Sequence, residues 1–160
     1  MQPVLAELRG LRAGIVDTST LIYGAHLALL PLLARQWHLV LIPQVVAEFG
    51  GHPEQMELRE STFIGTTDEA LLHTAIDLDL PLFSEDGRLL RRARTLKHPH
   101  YNSLMLLLAL LLQGQISLAE HDRLHAALVQ VARYAPAVLD RGAALRLALT
   151  ESIAAPSSGG

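Results

Sequence analysis

Three short apolar segments, each followed by an acidic residue, constrain the fold of this chain more than any other feature. They cover residues 13–16, 38–42 and 81–84 and are built mainly from Val, Ile, Leu and Phe. Amphipathic segments with helical spacing separate them along the chain. Buried strands that alternate with helices are typical of α/β proteins with a parallel sheet. We therefore predict an α/β, three-layer fold in which a small parallel sheet is flanked by helices.

Caps, prolines and glycines delimit the predicted helices. Pro31 should interrupt the first long helix, and Thr67 and Ser117 should each cap a later one. The predicted helices cover residues 21–36, 44–49, 53–60, 68–79, 87–96, 102–113, 117–134 and 138–150. Residues 97–102 (KHPHYN) match a strand poorly. We expect a single domain over residues 1–152 and a disordered tail over residues 153–160.

The composition excludes several classes of protein. Of the 160 residues, 50% are hydrophobic and 18% are charged, which suits one globular domain and excludes a disordered chain. The chain contains no cysteine, so disulfides and cysteine-ligated metals are excluded. The longest apolar run, residues 104–112, is shorter than the roughly 20 residues that cross a bilayer. We expect a soluble, cytoplasmic protein that does not associate with membranes.

Acidic residues follow all three predicted strands. Asp17 follows the first strand, Glu48 lies on the short helix after the second, and Asp86 follows the third. Asp68 opens the helix that leads into the third strand. Because the carboxyl ends of parallel strands meet at one edge of a sheet, we expect these acids to lie close together. Clustered carboxylates repel one another, and oxygen ligands suit Mg²⁺ or Mn²⁺, which can support phosphodiester hydrolysis.

Each acid also has an ordinary structural interpretation. Asp17 is placed to cap the helix that follows it, and Asp68 is placed to stabilise a helix N-terminus. Asp86 and the glycine after it can form a turn, and Glu48 can be a solvated helix residue.

A basic segment begins directly after the third acidic position. Its cations are Arg88, Arg91, Arg92, Arg94 and Lys97, which are five of the 13 Lys and Arg residues. A helix there could guide a phosphate backbone towards the acidic edge. A solvated helix face is one alternative interpretation, and a docking surface for an acidic segment of a partner protein is another.

The order and spacing of these motifs resemble the PIN-domain nucleases, which include VapC-like toxins of prokaryotic toxin–antitoxin pairs. The residues that carry the resemblance are IVDTSTLI (15–22), LIPQVVAEF (41–49) and DEALLHTAIDLDLPLFSED (68–86), followed by GRLLRRA. The similarity is greatest to a branch of small PIN proteins with additional C-terminal helices. It extends over about residues 13–148.

The resemblance implies specific roles for the residues that match the motifs. The four acids described above would bind the metal and form the catalytic site. Ser19 would support the first of them, and Asn102 would add a further polar group. Glu69 and Glu85 are the alternatives to the acids next to them in the sequence. The basic residues Arg88 and Arg91, together with Arg92, are expected to bind the RNA.

The resemblance also implies an activity and partners. It implies an endoribonuclease that uses Mg²⁺ or Mn²⁺, acts as the toxin of a type II pair, binds an antitoxin protein and forms a homodimer. Two other functions remain open, an acid-cluster phosphatase with Asp17 as the nucleophile and a PIN-like binding module that does not cleave. His121 and His125 have helical spacing that zinc sites use, although no third ligand is apparent.

Overall fold

Five parallel strands form the sheet that the computed structural model shows within residues 2–154, the part of the chain that the structure describes. The strands are β1 (Ala13–Val16), β2 (His38–Leu41), β3 (Glu57–Leu58), β4 (Leu82–Phe83) and β5 (His100–Tyr101). Their order across the sheet is β3-β2-β1-β4-β5, and every pair is parallel. The predicted α/β class with a small parallel sheet flanked by helices is confirmed.

Two compact units share the nine helices of the described residues. The sheet unit is Arg12–Ser103, and the helical unit combines residues 2–11 with residues 104–154. The helices are α1 (Gln2–Arg9), α2 (Thr18–His26), α3 (Leu30–Gln36), α4 (Pro43–Phe49), α5 (Thr67–Leu78), α6 (Gly87–Thr95), α7 (Ser103–Leu112), α8 (Leu118–Val131) and α9 (Pro136–Ala154).

Helices cover both faces of the sheet because crossovers between parallel strands are right-handed. The chain moves from β1 outwards to β2 and β3, so α2, α3 and α4 lie on one face. It then returns past β1 to β4 and β5, which places α5 and α6 on the other face. The packing of α2 against α4, and of α5 against α6, agrees with this arrangement.

The reversal of direction lies between β1 and β4. These neighbouring strands pair through Ile15 with Leu82 and Val16 with Phe83, although a long stretch of chain separates them. In open parallel sheets, ligands bind beyond the carboxyl ends of the strands at such a switch point. The acidic residues that follow β1 and β4 therefore lie where the topology favours a site.

Both edge strands correct the sequence predictions. Residues 53–60 were expected to form a polar helix, but they contain β3, which pairs with β2 and is extended by Arg59 N–H donating to Leu41 O at 2.8 Å. Residues 97–102 were expected not to form a strand, yet β5 lies within them. Each of these edge strands is only two residues long and is defined by its backbone pairing, so no alternating pattern of side chains marks it in the sequence.

Most helix boundaries agree with the expectations. Pro31 is the second residue of a separate helix, α3, so the predicted interruption of the first long helix is confirmed. The cap of α5 is Thr66, whose hydroxyl accepts from Glu69 N–H, and Thr67 is the first helical residue. Ser117 and Glu120 form the predicted capping box of α8.

The helical unit contains α1 and the helices after residue 103. The Gln113 amide donates to three carbonyl oxygens at the C-terminal end of α1 and just beyond it, those of Leu8, Arg9 and Leu11, at 2.9, 3.3 and 3.0 Å. One side chain thereby satisfies several carbonyls that a helix end leaves unpaired. Most leucines of α7 are buried.

Within residues 2–154, none of the helices has the length and hydropathy that a bilayer crossing requires.

The single domain over residues 1–152 stays a prediction. The expected disordered tail begins at residue 153, but residues 153 and 154 belong to α9. The rest of that tail, residues 155–160, lies outside the described residues.

Aromatic side chains of β4, of β5 and of the residue between α3 and β2 meet in the core of the sheet unit. The Phe83 ring lies edge-on to Trp37, with 6.1 Å between centroids, and to Tyr101, with 6.2 Å. Gly14 on β1 makes room for this ring, because a Cβ atom there would lie 2.4 Å from Phe83 Cζ. The packing of β1 against β4 therefore requires glycine at this position.

We expect Gly14→Ala to destabilise the protein by about 1–3 kcal/mol, because the added methyl group must displace the buried Phe83 ring. Gly51→Ala is the matched control, since a Cβ at Gly51 meets no atom within 4 Å. Its effect should stay within about 0.5 kcal/mol. Urea unfolding followed by circular dichroism measures both free energies. Equal stability of the two variants would contradict this account of the core.

Candidate functional site

Asp17 occupies the carboxyl end of β1 at the switch point. Its backbone N–H donates to Phe83 O at 2.9 Å, which continues the pairing of β1 with β4 by one residue. The residue is 5% exposed. Its side chain also caps α2, because Oδ1 accepts from Thr18 N–H at 2.7 Å. The cap interpretation is thus correct for Asp17, and it accounts for only one of the two carboxylate oxygens.

The second oxygen of Asp17 is held by two serines. Ser19 Oγ donates to Asp17 Oδ2 at 3.0 Å, and Ser84 Oγ donates to the same oxygen at 2.7 Å. Burial raises the pKa of Asp17, the three hydrogen bonds oppose that rise, and the Glu48 carboxylate adds to it. The carboxylate is consequently fixed in position by neutral donors and gains no neighbouring positive charge from them.

Glu48 approaches the same region from α4. The residue is exposed and lies near the end of its helix. Thr18 Oγ1 donates to Glu48 Oε2 at 2.8 Å, which ties this side chain to the first turn of α2. The electrostatic effect of Glu48 on both Asp17 and Asp68 places its carboxylate near the two aspartates.

Asp68 lies in the first turn of α5 and is half-buried. Its pKa is raised first by burial and then by the charges of Asp17, Asp86 and Glu48. These three sources of repulsion show that the four acids singled out from the sequence share one electrostatic environment. Glu69 is exposed, and only its backbone N–H contributes to the cap of α5.

Asp86 is the N-cap of α6. Its Oδ1 accepts from Arg88 N–H at 2.8 Å and from Leu89 N–H at 3.2 Å. Its own N–H donates to Ser84 Oγ at 3.0 Å. Ser84 therefore connects the backbone of Asp86 to the side chain of Asp17. As with Asp17, the capping role uses one carboxylate oxygen and leaves Oδ2 without a hydrogen bond to the described residues.

Glu85 contacts the start of α7. Its Oε1 accepts from Ser103 N–H at 2.6 Å and from the Ser103 hydroxyl, at the start of α7, and from Thr20 Oγ1 at 3.4 Å. Glu85 is not among the charges that raise the pKa of Asp68. This carboxylate thus stabilises the beginning of α7. Asn102 is half-buried between β5 and α7.

The structure adds hydroxyl residues that were not identified as site residues from the sequence. They are Thr18, Thr20, Ser84 and Ser103. Three consecutive hydroxyls, those of Thr18, Ser19 and Thr20, donate to three different carboxylates. The available signal was the run of hydroxyl residues directly after Asp17. The carboxylates that they contact come from distant positions, which the run itself does not reveal.

The four acids provide the donor chemistry that a hard divalent cation requires. All their ligand atoms are oxygens, and none of the four forms an ion pair with a basic side chain of the described residues. Their mutual repulsion would be relieved by a bound cation. Nevertheless, across residues 2–154, no three acidic or histidine side chains are arranged closely enough to hold a metal ion as they stand. The exposed Glu48 and half-buried Asp68 would have to rotate to complete such a site.

The basic segment forms the expected helix, α6. Arg88, Arg91 and Arg92 are exposed on the side opposite the buried Leu89 and Ala93. Within the described part of the chain, these three arginines form no ion pair with an acid. Because Asp86 caps this helix, the arginine face begins within one turn of the acidic group. We call these three residues the arginine face.

Comparisons with known proteins found similarity to solved structures. No family model matches the chain, and no curated protein matches it. A PilT N-terminus domain protein from the hyperthermophilic archaeon Sulfolobus solfataricus P2 superposes with a TM-score of 0.46 and 13% sequence identity. The superposition covers 61% of this chain and 93% of that protein. The PIN-family assignment stays a prediction, and the fold class rests on the observed sheet.

The histidine pair on α8 is unsuited to zinc. The His121 ring is 1% exposed, and its Nδ1 accepts from Arg146 Nε at 3.3 Å. Arg146 also pairs with Asp122 at 2.5 Å. A guanidinium in contact with His121 repels a second cation. Burial, with Arg146 and His125 as further causes, lowers the pKa of His121 to about 4, and Asp122 opposes this weakly.

We expect His121 to make the protein less stable as the pH falls from about 6.5 to 4. The unfolded chain binds the proton at the ordinary pKa of 6.5, whereas the folded protein resists it until about 4. The free energy of unfolding keeps its full value above pH 6.5. Its decrease between pH 6.5 and pH 4 amounts to at most about 3 kcal/mol.

Unfolding by urea at several pH values tests this prediction. His121→Gln should flatten the dependence on pH relative to the wild type, and His26→Gln, at an exposed position of α2, should preserve it. The same dependence in all three proteins would show that His121 does not titrate as its burial requires.

Proposed function

We propose that the acidic edge of the sheet is the active site of an endoribonuclease that requires Mg²⁺ or Mn²⁺. The observation that carries the proposal is the group of four carboxylates at the β1–β4 switch point, without a basic partner among the described residues. The order of the sequence motifs, which resembles the PIN domains, supports the choice of reaction. Asp17, Glu48, Asp68 and Asp86 would hold the cation.

The residues of the site would have different roles in catalysis. A divalent cation bound there would activate water and offset the charge of a phosphodiester. Asp17 is fixed by Ser19 and Ser84, so it provides a rigid carboxylate whose orientation costs little to maintain. Glu48 and Asp68 approach from two helices on opposite faces of the sheet. They can therefore enclose a ligand at the edge from both sides.

The arginine face supplies the attraction for RNA. A group of four carboxylates repels a polyanion, and the net charge of the chain is −3. Binding of a nucleic-acid backbone consequently needs a local positive surface. Arg88, Arg91 and Arg92 provide one beside Asp86 and have no acidic partner within the described residues.

The biological setting proposed here rests on the sequence resemblance. We propose that the protein is the toxin of a type II toxin–antitoxin pair, binds a protein antitoxin and forms a homodimer in the cytoplasm. Co-expression with the product of a neighbouring reading frame, followed by measurement of growth and of the mass of the purified complex, tests these three points.

A binding module that does not cleave is the second candidate function. It is favoured by the finding that no three of the described acidic or histidine side chains are arranged to hold a metal. A phosphatase with Asp17 as the nucleophile is less consistent with the structure. Both oxygens of Asp17 already accept hydrogen bonds, and the residue is buried.

We expect Asp17→Asn to reduce metal-dependent RNA cleavage by about 100-fold or more, since changes at residues that only support metal ligands already cost 10–100-fold. Asparagine retains a carbonyl oxygen that can cap α2, so the fold should persist. Asp140→Asn, at an exposed position of α9, is the control for loss of one negative charge. Cleavage of mixed RNA with Mn²⁺ measures the effect, and circular dichroism verifies the fold. Equal cutting by all three proteins would assign the activity to a contaminant and favour the binding module.

We expect the triple variant Arg88→Gln, Arg91→Gln and Arg92→Gln to bind single-stranded RNA more weakly and with a smaller dependence on salt. Each lost phosphate contact should reduce the logarithmic salt slope by about 0.7. The matched control replaces three exposed arginines outside α6, namely Arg35, Arg133 and Arg141. Fluorescence anisotropy over a range of salt concentrations measures both variants. If the control lost as much affinity as the α6 variant, net charge rather than the arginine face would account for binding.

A further inference from the structure

Two rings stack on each other at the surface of the sheet unit. Phe63, in the loop before α5, and His73, on α5, have ring centroids 4.2 Å apart and ring planes inclined by 15°. His73 is exposed and Phe63 is half-buried. His73 follows Asp68 by five residues on the same helix, which corresponds to about 7.5 Å along the helix axis. The ring pair therefore lies close to the acidic edge.

The loop that carries Phe63 is packed closely against α5. A Cβ atom at Gly65 would lie 2.5 Å from Phe63 Cε1 and 2.9 Å from Glu69 Oε2. The backbone N–H of Phe63 also donates to Ser61 Oγ at 3.3 Å. Ile64 follows Phe63 and is 97% exposed. The loop thus fixes the aromatic ring and presents a large apolar side chain to solvent directly after it.

The charges around the ring pair favour one part of an RNA molecule over the other. Glu69 and Asp77 lie four residues before and after His73, on the same exposed face of α5. Their carboxylates repel phosphate groups, whereas a base is uncharged. The arginine face, which attracts phosphates, lies on α6, and α6 packs against α5. The two neighbouring helices consequently offer separate surfaces for the backbone and for a base.

We propose that Phe63 and His73 bind an unpaired base of the RNA by stacking, with Ile64 as an apolar contact beside it. Phenylalanine and histidine rings stack on bases that are splayed out of a single strand, and a duplex does not present such bases. The substrate would therefore be single-stranded where it meets α5. The inference rests on the proposed function for the choice of RNA as the ligand, but it requires neither a metal nor cleavage.

The test measures binding of the full chain to a fluorescent oligoadenylate in EDTA, by anisotropy over a range of salt concentrations. His73→Leu removes the ring and keeps an apolar side chain, and it should weaken binding about 10-fold, as loss of one base stack does. The logarithmic salt slope should not change, because no phosphate contact is lost. Phe63→Leu should have the same two effects.

Two variants act as controls. His73→Tyr keeps a ring that can stack, and its affinity should stay within about 3-fold of the wild type. His26→Leu removes an exposed histidine from the last residue of α2 and should leave binding unchanged. Circular dichroism verifies that each variant folds.

An oligomer of the same length with abasic sites in place of the adenines identifies the group that is bound. Wild type and His73→Leu should bind this oligomer equally, because it has no base to stack. Together with the oligoadenylate, the two proteins form a double-mutant cycle between the histidine ring and the base.

The outcomes separate this inference from the proposed function. Wild-type affinity of His73→Leu for the oligoadenylate, or an equal loss with both oligomers, would overturn the inference and leave the ring pair as an anchor of the loop. A reduced salt slope in His73→Leu, or the same loss in His73→Tyr, would also overturn it. A protein that binds as expected but cleaves no RNA with Mn²⁺ would support stacking and refute the endoribonuclease. A wild type that binds neither oligomer would overturn both proposals.

Discussion

The hydrogen bond from Ser84 to Asp17 joins the ends of two strands that are 67 positions apart in the chain. Its donor is fully buried at the end of β4, and its acceptor follows β1 at the switch point of the sheet. The same Ser84 oxygen accepts from Asp86 N–H and so fixes the start of α6. The location of the first acid, the cap of α6 and the origin of the arginine face all depend on this pairing of β1 with β4. That pairing in turn requires Gly14, which leaves space for Phe83.

Like charges gathered at one edge must be held against their repulsion. Burial and mutual repulsion raise the pKa of Asp17 and Asp68. At Asp17 the donors that oppose this cost are two hydroxyls and a backbone N–H group, and no basic side chain of the described residues pairs with the four acids. Neutral donors fix the carboxylates without cancelling their charge. The cluster consequently retains its attraction for a cation.

The sequence indicated the central part of this arrangement because that part depends on local patterns. The strands β1, β2 and β4 are short apolar runs, and an acid follows each of them directly or within the next helix. The edge strands β3 and β5 were missed because each is only two residues long and only pairing with a neighbour makes it a strand. The partners of Thr18 and Glu85 were missed for a related reason. Hydrogen bonds between side chains distant in sequence follow from the three-dimensional arrangement, and one sequence carries no record of them.

The capping role of the aspartates does not exclude the proposed metal-binding role. Asp17 caps α2 and Asp86 caps α6, and in both residues Oδ1 receives the backbone N–H groups. A helix cap needs one acceptor oxygen, whereas a metal ligand needs charge and a free lone pair. A carboxylate can satisfy both requirements, because it has two oxygens with two lone pairs each. In Asp86 the second oxygen has no hydrogen bond to the described residues, whereas in Asp17 the two serines occupy Oδ2 and one lone pair of Oδ1 remains. Asparagine satisfies only the first, so it separates the contribution of these residues to folding from their contribution to the acidic site.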